Sequence, residues 1–536
     1  MRVLIVHGYL LGGTGSNVYT AELVRALVDL GAEVHLVCQE RAALELGFVD
    51  AAGEWDSGSL RVHGRVEGAR CTVYRPDLGG LLPVYVADRY EGVEARPFTE
   101  LDDATVEDYV RRNVAAVREV VARARPDVAF AGHLVMAPAV LARALADTGV
   151  PYAVKVHGSA LEYTVARQPE RFVPWAREGL AGAGAVLVGS RHTATRLWAV
   201  MDDDGALAAR TRLGPPGVDV GAFRPREAAE AAAGLRALAR ELEDAGEGGV
   251  VPPASSFARD DGAAGAALMA LEPQVDRLVA FVGKLIVSKG VDLLATAWPL
   301  VVQRVPAARL VLVGFGAYRE ALEALVGALA AGDLAAVRAL AHEGRAAEGG
   351  PRAPLRHLLA FLDALEDDPP GRDRYVAAAA SLPDRLVVVG RLDHAELARL
   401  LPACEALVVP STFPEAFGMV AAEAAACGVL PVCADHSGLA EVAGALAEAV
   451  PEEARPWLRF PVDDQVVTGL AHRVAGWLQT SALVRARTRE ALGAAAGERY
   501  SWEGVARGVL RAARGELGAL PHVPPRVIAP RRRALG

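Results

Sequence analysis

Two glutamates and two lysines stand where apolar segments of the chain give way to loops. Glu415 and Glu423 lie eight positions apart in PSTFPEAFGMVAAEAAACG, and Lys284 and Lys289 lie five apart in FVGKLIVSKG. The run LVVP before the glutamates predicts a buried strand, and GMVAAEAAACG predicts a helix that ends at a glycine. A carboxylate at such a junction can cap free backbone N–H groups, which is one interpretation of Glu415. Glu423 falls among alanines on a helix expected to be buried, where an ionised carboxylate needs a partner.

Lysine is rare in this chain, which makes its positions informative. Only three of the 57 lysines and arginines are lysines, namely Lys155, Lys284 and Lys289. Arginine carries almost all of the positive charge, so a retained lysine suggests a compact ammonium group placed for a purpose. Chance retention is the alternative. Because all three lysines lie where a predicted strand meets a loop, we favour a function at a site.

Composition limits the classes of protein that the sequence can encode. The 536 residues, 52% of them hydrophobic, suffice for at least two domains with full cores. A net charge of −9 argues against a protein that acts mainly on nucleic acid. The five cysteines have neither metal-ligand spacing nor the density of a disulfide framework, which favours a reducing cytoplasm. The first apolar run is too short for a signal peptide, and no run of about 18 apolar residues predicts a membrane span.

Apolar strand segments alternate with helical segments along most of the chain. Those before residue 200 are RVLIVHG, EVHLVCQ, DVAFAGH, YAVKVHG and AVLVGS, and those after it are LVAFVGK, RLVLVGFG, RLVVVGR, ALVVPS and LPVCAD. Alternating βα units predict parallel sheets with ligands at the carboxyl ends of the strands. We therefore expect an α/β protein with two doubly wound, Rossmann-like domains that face each other across a cleft.

A segment rich in proline and glycine, residues 214–226, marks the predicted domain boundary. It separates an N-terminal domain of residues 1–213 from a C-terminal domain of residues 214–500. Four further segments are distinguished by composition. Residues 227–276 and 320–382 are predicted to be mostly helical insertions, for which we predict no function. Residues 501–518 predict a helix that begins near a serine, and residues 519–536 form a basic tail.

Six motifs, taken in order and spacing, resemble one enzyme family. They are GGTGSNVYTAELVRAL, VHGSALEY, PPGVDVGAFRP, GKLIVSKG, LVLVGFG and PSTFPEAFGMVAAEAAACG. The chain resembles the retaining GT-B glycosyltransferases of family four, the glycosyl transferases group one, along nearly its whole length outside the two insertions. Two positions depart from the family pattern: Lys284 stands where arginine is usual, and Pro216 where asparagine is common. The resemblance also implies that the helix over 501–518 packs back against the N-terminal domain.

The resemblance implies how the donor-binding residues divide their roles. The second glutamate, here Glu423, accepts hydrogen bonds from ribose hydroxyls, and the first, Glu415, lies beside the donor sugar. Lys284 and Lys289 would stabilise the charge that grows on the departing diphosphate, so that no metal is required. The other donor-binding positions offer backbone N–H groups or close approach to the ligand: Gly13, Gly15, Gly283, Phe417, Gly418, Met419 and Val420.

The reacting centre and the acceptor site are predicted in the N-terminal domain. His157 follows the strand YAVKV, and strand alternation places it on the same side as Lys155. The resemblance implies that His157 lies near the donor sugar, so we name it as a catalytic residue without assigning it a proton transfer. Asn17 and Tyr19 match the part of the pattern that meets the acceptor in inositol-phosphate-using members, and His133 ends a strand at the same edge. With Lys155 they predict a site for a polyol phosphate, a glycan or a lipid-linked hydroxyl.

These features predict a retaining, metal-independent glycosyltransferase of carbohydrate biosynthesis in the cytoplasm. Its donor substrate would be a UDP- or GDP-sugar, it would need no cofactor, and nucleic acid is not expected as a partner. The arginine-rich segment VRRNVAAVREVVARARP leaves two interpretations open: weak contact with anionic lipid at the inner face of a membrane, or a solvated helix face.

Three other functions compete with glycosyl transfer. Two use the same fold: a sugar-nucleotide epimerase and a non-catalytic sugar-nucleotide-binding protein. The third is a dinucleotide-dependent oxidoreductase in which Glu40, after the second strand, would bind a ribose. Its glycine fingerprint begins at Gly13 and Gly15, but the third glycine would fall on Val18, which disfavours it.

Overall fold

The chain folds as two compact units. The computed structural model describes residues 1–12, 15–56, 58–64, 68–85, 94–203, 205–246 and 259–523. The first unit contains the described residues of 1–87, 94–215 and 505–536, and the second contains those of 216–504. Each unit has a sheet of mostly parallel strands with helices packed around it, so the α/β prediction is confirmed.

The main sheet of the first unit has nine strands within the described residues, in the order β11-β10-β9-β8-β1-β2-β5-β3-β4. All neighbours are parallel except β3 and β4. A separate parallel pair is formed by β6 and β7. The strands are β1 Arg2–Val6, β2 Glu33–Val37, β3 Ala51–Asp56, β4 Ser59–Gly64, β5 Cys71–Arg75, β6 Leu81–Val84, β7 Glu94–Pro97, β8 Val128–Gly132, β9 Tyr152–Lys155, β10 Ala185–Val188 and β11 Thr211–Leu213.

Helices connect β1 to β2 and then join β8, β9, β10 and β11 in turn, as parallel crossover connections usually do. The strands between them are nearly continuous runs of valine, isoleucine, leucine and alanine, because both faces of the sheet are covered. The helices are α1 Gly15–Asp29, α2 Asp103–Ala124, α3 Ala137–Leu145, α4 Gly158–Ala160, α5 Pro169–Ala181, α6 Arg191–Met201 and α7 Ala206–Arg210.

The sheet of the second unit is parallel throughout. Its strands lie in the order β14-β13-β12-β15-β16-β17. They are β12 Arg277–Val282, β13 Ala308–Val313, β14 Leu386–Gly390, β15 Ala406–Val409, β16 Leu430–Ala434 and β17 Arg459–Phe460.

The remaining helices are α8 Ala228–Gly246, α9 Asp261–Met269, α10 Val291–Arg304, α11 Arg319–Ala330, α12 Leu334–Glu343, α13 Arg356–Asp367, α14 Pro369–Ala379, α15 Leu382–Arg385, α16 His394–Leu400, α17 Met419–Ala426, α18 Ser437–Ala447, α19 Val466–Gln479, α20 Ala482–Tyr500 and α21 Trp502–Ala513. The first insertion contains α8 and α9, and its residues 247–258 lie outside the described part of the chain. The second insertion contains α11 to α14 and the start of α15, and its tyrosine Tyr375 is fully buried in the core of the unit.

The C-terminal segment differs from the predicted helix and tail. Helix α21 ends at Ala513, five residues before the predicted end, and Gly515 follows in a left-handed conformation. The start of the predicted tail runs along β11, where Leu213 N donates to Pro521 O at 2.9 Å and Arg212 forms a bridge with His522. The rest of the tail, residues 524–536, lies outside the described residues. No helix of the described chain has the length and apolar character needed to cross a bilayer.

Candidate functional site

In both units, polar residues lie at the point in the sheet where successive strands stop extending it to one side and begin to extend it to the other. In the second unit, β13 and β14 extend the sheet to one side of β12 and β15 to β17 to the other. A crevice forms at such a point, beyond the carboxyl ends of the strands, and ligands bind there in doubly wound sheets. Gly283 and Lys284 directly follow β12, and the segment with Ser411 and Glu415 follows β15. Gly283, Lys284 and Glu415, which the sequence predicted as site residues, therefore share one edge.

An ion pair between Lys289 and Glu415 lies at this edge. Lys289 Nζ donates a hydrogen bond to Glu415 Oε1, and Ser411 Oγ donates to the same oxygen at 2.7 Å. The two charged side chains are 32% and 24% exposed, so a ligand can reach them. Burial favours the neutral form of Glu415, but Lys289 and Ser411 stabilise the carboxylate more, and the pKa of Glu415 lies below its ordinary value. The carboxyl group of Glu415 is therefore ionised at neutral pH.

The loops that carry the two partners are joined through their backbones. Thr412 N donates to Ser288 O at 2.9 Å. Gly290 has φ 69°, and a Cβ atom there would lie 2.0 Å from Pro410 O, so only glycine permits this close approach. The position of Lys289 relative to Glu415 is consequently set by main-chain contacts as well as by the ion pair.

The capping interpretation of Glu415 is wrong. Helix α17 begins at Met419, with Gly418 before it and without a side-chain cap. The carboxylate of Glu415 instead accepts hydrogen bonds from Lys289 and Ser411, the first of them assisted by opposite charges. The first N–H groups of a helix have no intrahelical partner. Residues 417–420 therefore offer backbone donors to an anion.

Glu423 is buried on α17 and does have a partner. It is 3% exposed, and its Oε1 lies 3.1 Å from His394 Nε2. His394 is the first residue of α16, which follows β14 and begins with a capping box of Asp393 and Glu396. Sequence reasoning missed His394. The signal was present in GRLDHAEL, where a histidine comes just after a strand and a helix start.

Three histidines meet at the corresponding edge of the first unit. His7 follows β1, His133 follows β8 and His157 follows β9, and the strand order reverses between β1 and β8. The ring centroids of His7 and His133 are 5.3 Å apart, and those of His133 and His157 are 4.9 Å apart. Both ring nitrogens of His133, and Nε2 of His157, are buried without a hydrogen-bond partner in the described chain. His7 was not predicted, although it ends the first strand segment.

Burial makes these imidazoles neutral. It lowers the pKa of His7 to about 4, against the smaller effects of its hydrogen bonds to Asn17 and Leu10 O. Burial also holds the pKa of His133 well below its ordinary value, with neighbouring imidazoles adding to the effect. For His157, burial and then the charge of Lys155 act in the same direction. A neutral imidazole can both donate and accept a hydrogen bond, which suits the recognition of hydroxyl groups.

Lys155 lies beside His7, His133 and His157, which together form the histidine cluster. Its Nζ donates to Gly214 O and lies 5.6 Å from the centre of the Tyr19 ring, which His157 also contacts at 5.1 Å. Lys155 and His157 thus lie on one side, as strand alternation predicts. Lys155 is 3% exposed, and burial lowers its pKa to about 7.

Replacement of Lys155 by methionine should change how stability depends on pH. The folded pKa lies below the ordinary value of 10.5, so between pH 7 and pH 10.5 the unfolded chain holds a proton that the folded chain has lost. The contribution of Lys155 to the free energy of unfolding therefore rises with pH in this window and is constant below it. We expect the stability of Lys155→Met relative to the native protein to fall by about 2–3 kcal/mol from pH 7 to pH 9.

Calorimetric unfolding of both proteins at pH 7, 8 and 9 measures this difference. Other titrating groups are common to the two proteins and cancel in the comparison. A difference that stays constant over the three pH values would mean that Lys155 keeps its proton in the folded chain.

The first loop and the start of α1 hold the other predicted residues of this unit. Asn17 is fully buried: its Nδ2 donates to Gly12 O at 2.7 Å, and its Oδ1 lies 3.2 Å from His7 Nε2. These bonds fix the loop to the histidine cluster. Gly15 is the first residue of α1, whereas Gly13 lies outside the described residues.

Glu40 does not suit the role that an oxidoreductase would require of it. Its Oε2 accepts from Leu11 N at 3.1 Å, and its Oε1 accepts from Arg41 N and Ala42 N at 3.0 and 3.2 Å. The carboxylate is thus occupied by backbone donors. Among the described residues, no cluster of three or more histidine, cysteine, aspartate or glutamate side chains is arranged to hold a metal ion.

The arginine-rich helix α2 packs its valines into the unit. Val110, Val117 and Val120 are fully buried. Arg111 and Arg112 both form ion pairs with Asp108 on the same helix. These contacts fit the interpretation of this segment as a solvated helix face, the alternative to contact with anionic lipid.

Each of the two units matches a known domain family. Residues 14–217 match the model of the glycosyl transferase 4-like domain, and residues 371–453 match that of the glycosyl transferases group 1. Sucrose-phosphate synthase from Thermosynechococcus elongatus has a similar structure, with a TM-score of 0.56 at 19% identity over 97% of this chain and 99% of that one. The Anabaena protein HepE in complex with UDP-glucose gives a TM-score of 0.52 at 14% identity over 95% and 98% of the two chains. The chain therefore has the GT-B fold and matches a glycosyl transferase domain model in each unit.

Curated relatives match this chain over part of their length. Glycogen synthase of Mycobacterium tuberculosis is 32% identical over 187 residues, which cover 32% of this chain and 42% of the relative. D-inositol 3-phosphate glycosyltransferase of Segniliparus rotundus is 28% identical over 276 residues, or 51% of this chain and 48% of the relative. The matched region spans less than half of either relative.

Proposed function

We propose that the protein transfers a sugar from a nucleoside diphosphate sugar to a hydroxyl acceptor with retention of the anomeric configuration and without a metal ion. The observation that carries this proposal is the Lys289–Glu415 ion pair beside the start of α17, with the buried carboxylate of Glu423 on the same helix. Cations, free backbone donors and hydrogen-bond acceptors are the groups that a diphosphate, a sugar and a ribose require. HepE, whose structure contains UDP-glucose, supports the donor class.

The donor residues divide by the part of the ligand that they bind. Glu423 accepts hydrogen bonds from the ribose hydroxyls, and Glu415 binds the hydroxyls of the donor sugar. Lys284, Lys289 and the N–H groups of residues 417–420 bind the diphosphate. The glycine positions Gly13, Gly15 and Gly283 allow close approach to it.

Retention needs no protein nucleophile in this proposal. The bond between the anomeric carbon and the diphosphate oxygen breaks, and the electron pair leaves with the diphosphate. The acceptor oxygen bonds the anomeric carbon on the face that the diphosphate vacates, and the acceptor proton passes to the departing phosphate oxygen. The lysines stabilise the growing negative charge. Neutral His157 donates or accepts a hydrogen bond at the donor sugar.

The acceptor binds at the histidine cluster of the first unit. Buried, unpartnered ring nitrogens of His133 and His157 cost free energy unless a ligand or water meets them, which makes them recognition groups for hydroxyls. Tyr19, Lys155 and Asn17 border or support this region. The similarity to a D-inositol 3-phosphate glycosyltransferase supports a polyol phosphate as acceptor. Glycans and lipid-linked hydroxyls are the other classes to test.

A donor panel tests the proposal. We expect UDP- or GDP-sugars to raise the melting temperature, and NAD to leave it unchanged. The protein is then incubated with the stabilising donor and acceptors of the three classes, with and without EDTA. Release of nucleoside diphosphate should require an acceptor and persist in EDTA, and NMR of the product should show the anomeric configuration of the donor. Donor conversion without acceptor would indicate an epimerase, and binding without conversion a non-catalytic protein.

His394→Ala should weaken the binding of the nucleoside diphosphate. Removal of the imidazole leaves the buried carboxylate of Glu423 without the partner that orients it. We expect a loss of about 1.5–3 kcal/mol in binding free energy, the scale of one hydrogen bond to a charged group. Isothermal titration calorimetry with UDP and GDP measures it.

His394→Gln provides the matched control, because its amide N–H group can still donate to Glu423 and should restore much of the affinity. Unchanged or higher affinity in His394→Ala would contradict the orienting role. Higher affinity would mean that the imidazole competes with the ribose for the carboxylate.

The location of the protein is part of the same proposal. A cytoplasmic enzyme would meet its sugar nucleotide directly, and five buried, unpaired cysteines fit a reducing compartment. Weak contact with a membrane would be required only by a lipid-linked acceptor. Sedimentation with vesicles that contain anionic lipid tests that contact.

A further inference from the structure

The second insertion contacts the loop that carries Lys284 and Lys289, residues 284–290, through one side chain. This loop is called the lysine loop below. Glu348 Oε2 accepts a hydrogen bond from Val287 N at 2.8 Å. Val287 lies between Lys284 and Lys289 and begins the short 3-10 turn Val287–Lys289. The Glu348 side chain is 7% exposed, and its second oxygen accepts from Arg345 Nε at 2.9 Å. A buried carboxylate of the insertion therefore binds the backbone of the lysine loop.

The backbone around Glu348 is itself fixed. Gly344 has φ 57°, and a Cβ atom there would lie 2.0 Å from Ala353 O. Arg345 N donates to Ala353 O at 3.1 Å, and Leu355 N donates to Ala341 O at 2.8 Å. These bonds close the segment 344–353 into a compact loop. Glu348 is thus presented from a rigid support.

The insertion also holds the helix that follows the lysine loop. Tyr375 Oη on α14 donates to Thr296 O on α10 at 2.8 Å, and both residues are fully buried. Helix α10 starts directly after Gly290, where the lysine loop ends. The insertion consequently contacts the loop at Val287 and anchors the helix behind it.

The placement of Glu348 has an electrostatic cost. Asp292, on the first turn of α10, is 3% exposed, and its Oδ1 has no hydrogen-bond partner within the described residues. Burial, with a smaller contribution from the charge of Glu348, raises the pKa of Asp292 to about 7. The charge of Glu348 thus disfavours ionisation of its buried neighbour Asp292.

We infer that Glu348 is a positioning residue that, by binding Val287 N–H, fixes the lysine loop in the conformation that meets the diphosphate. This inference rests on the proposed function of Lys284 and Lys289. It gives the second insertion a role: it supports the donor site from the side of the cations.

Two substitutions separate this role from a general effect on folding. Glu348→Ala removes the acceptor of the Val287 N–H bond, whereas Glu348→Gln keeps an amide oxygen in its place. Glu343→Ala, an exposed glutamate of the same insertion, is the matched control. Melting temperature and circular dichroism show that each variant is folded.

Hydrogen exchange and kinetics are measured on the full chain. We expect Glu348→Ala to speed exchange in peptides that cover 284–290 and to lower kcat by about 10- to 100-fold, the effect of small misplacement of reacting groups. The donor KM should change less than kcat. Glu348→Gln should restore most of the exchange protection and rate, and Glu343→Ala should behave as the native protein does.

The inference is overturned if Glu348→Ala exchanges and turns over as the native protein does. It is also overturned if the loop exchanges faster while kcat is unchanged, because Glu348 would then only stabilise the fold. If the native protein itself neither binds a sugar nucleotide nor turns one over, the proposed function fails. That result is distinct, since it comes from the native protein and not from the variant.

Discussion

Lys289→Ala should lower turnover by about 100-fold or more, as the loss of a fixed group that stabilises transition-state charge does elsewhere. The ammonium lies against Glu415 at the carboxyl edge of the sheet, on a loop held by backbone contacts. Negative charge on the diphosphate is greater in the transition state than in the intact donor. The substitution should therefore depress kcat more than it weakens donor binding. Steady-state rates at saturating donor, with calorimetric donor affinity, measure the two effects.

Lys289→Arg is the companion variant, in a chain that otherwise uses arginine for positive charge. A guanidinium is larger and planar, and it cannot reproduce the compact ammonium that binds one oxygen of Glu415. We expect partial activity at most. Normal turnover in Lys289→Ala would remove Lys289 from the reaction, and full activity in Lys289→Arg would show that any cation suffices.

Glu423→Gln and Glu415→Gln should have different effects on binding and rate. Glu423→Gln replaces an ionised acceptor by a weaker amide, and the nucleoside diphosphate should bind more weakly by roughly 1–3 kcal/mol. Glu415→Gln should leave nucleotide affinity nearly unchanged, or slightly higher because Lys289 loses its partner, and should lower turnover. Calorimetry with the nucleoside diphosphate and steady-state rates on both variants decide the matter.

Equal losses of nucleotide affinity in the two variants would contradict this division of roles. Because glutamine matches the shape of glutamate, the comparison changes charge with little change in volume. Melting temperatures of both variants provide the control for folding, which Glu423 in particular needs, since it is 3% exposed.

The sequence was sufficient where a site residue follows a regular strand. The carboxyl ends of β12 and β15 could be predicted from apolar runs, and with them the placement of Lys284 and Glu415 at one edge. Burial of Glu423 followed from its alanine neighbours, and so did its need for a partner. The fold class was predictable for the same reason, because alternating periods of strand and helix extend through both units.

The partners of these residues could not be predicted. His394 is 29 positions from Glu423 and on a different element, and no spacing rule connects them. Glu348 lies in a segment of alanine, glycine and arginine whose composition predicts only added helix or loop. The strands β3 (AAGEWD) and β4 (SLRVHG) were missed because both mix polar and small residues at the edge of the sheet. Such contacts depend on tertiary packing that local pattern does not encode.

The different accessibility of the three lysines makes the chain suited to selective chemical labelling. Acylating reagents that attack amines need an accessible amino group, and Lys155 is 3% exposed, whereas the Lys289 side chain is 32% exposed and Lys284 lies on the same loop. A succinimidyl ester should therefore modify the loop of residues 284–290 and the α-amino group, with little reaction elsewhere. Each modified peptide can be counted by mass spectrometry. Protection of that one loop by a bound ligand would report occupancy without any assay of turnover.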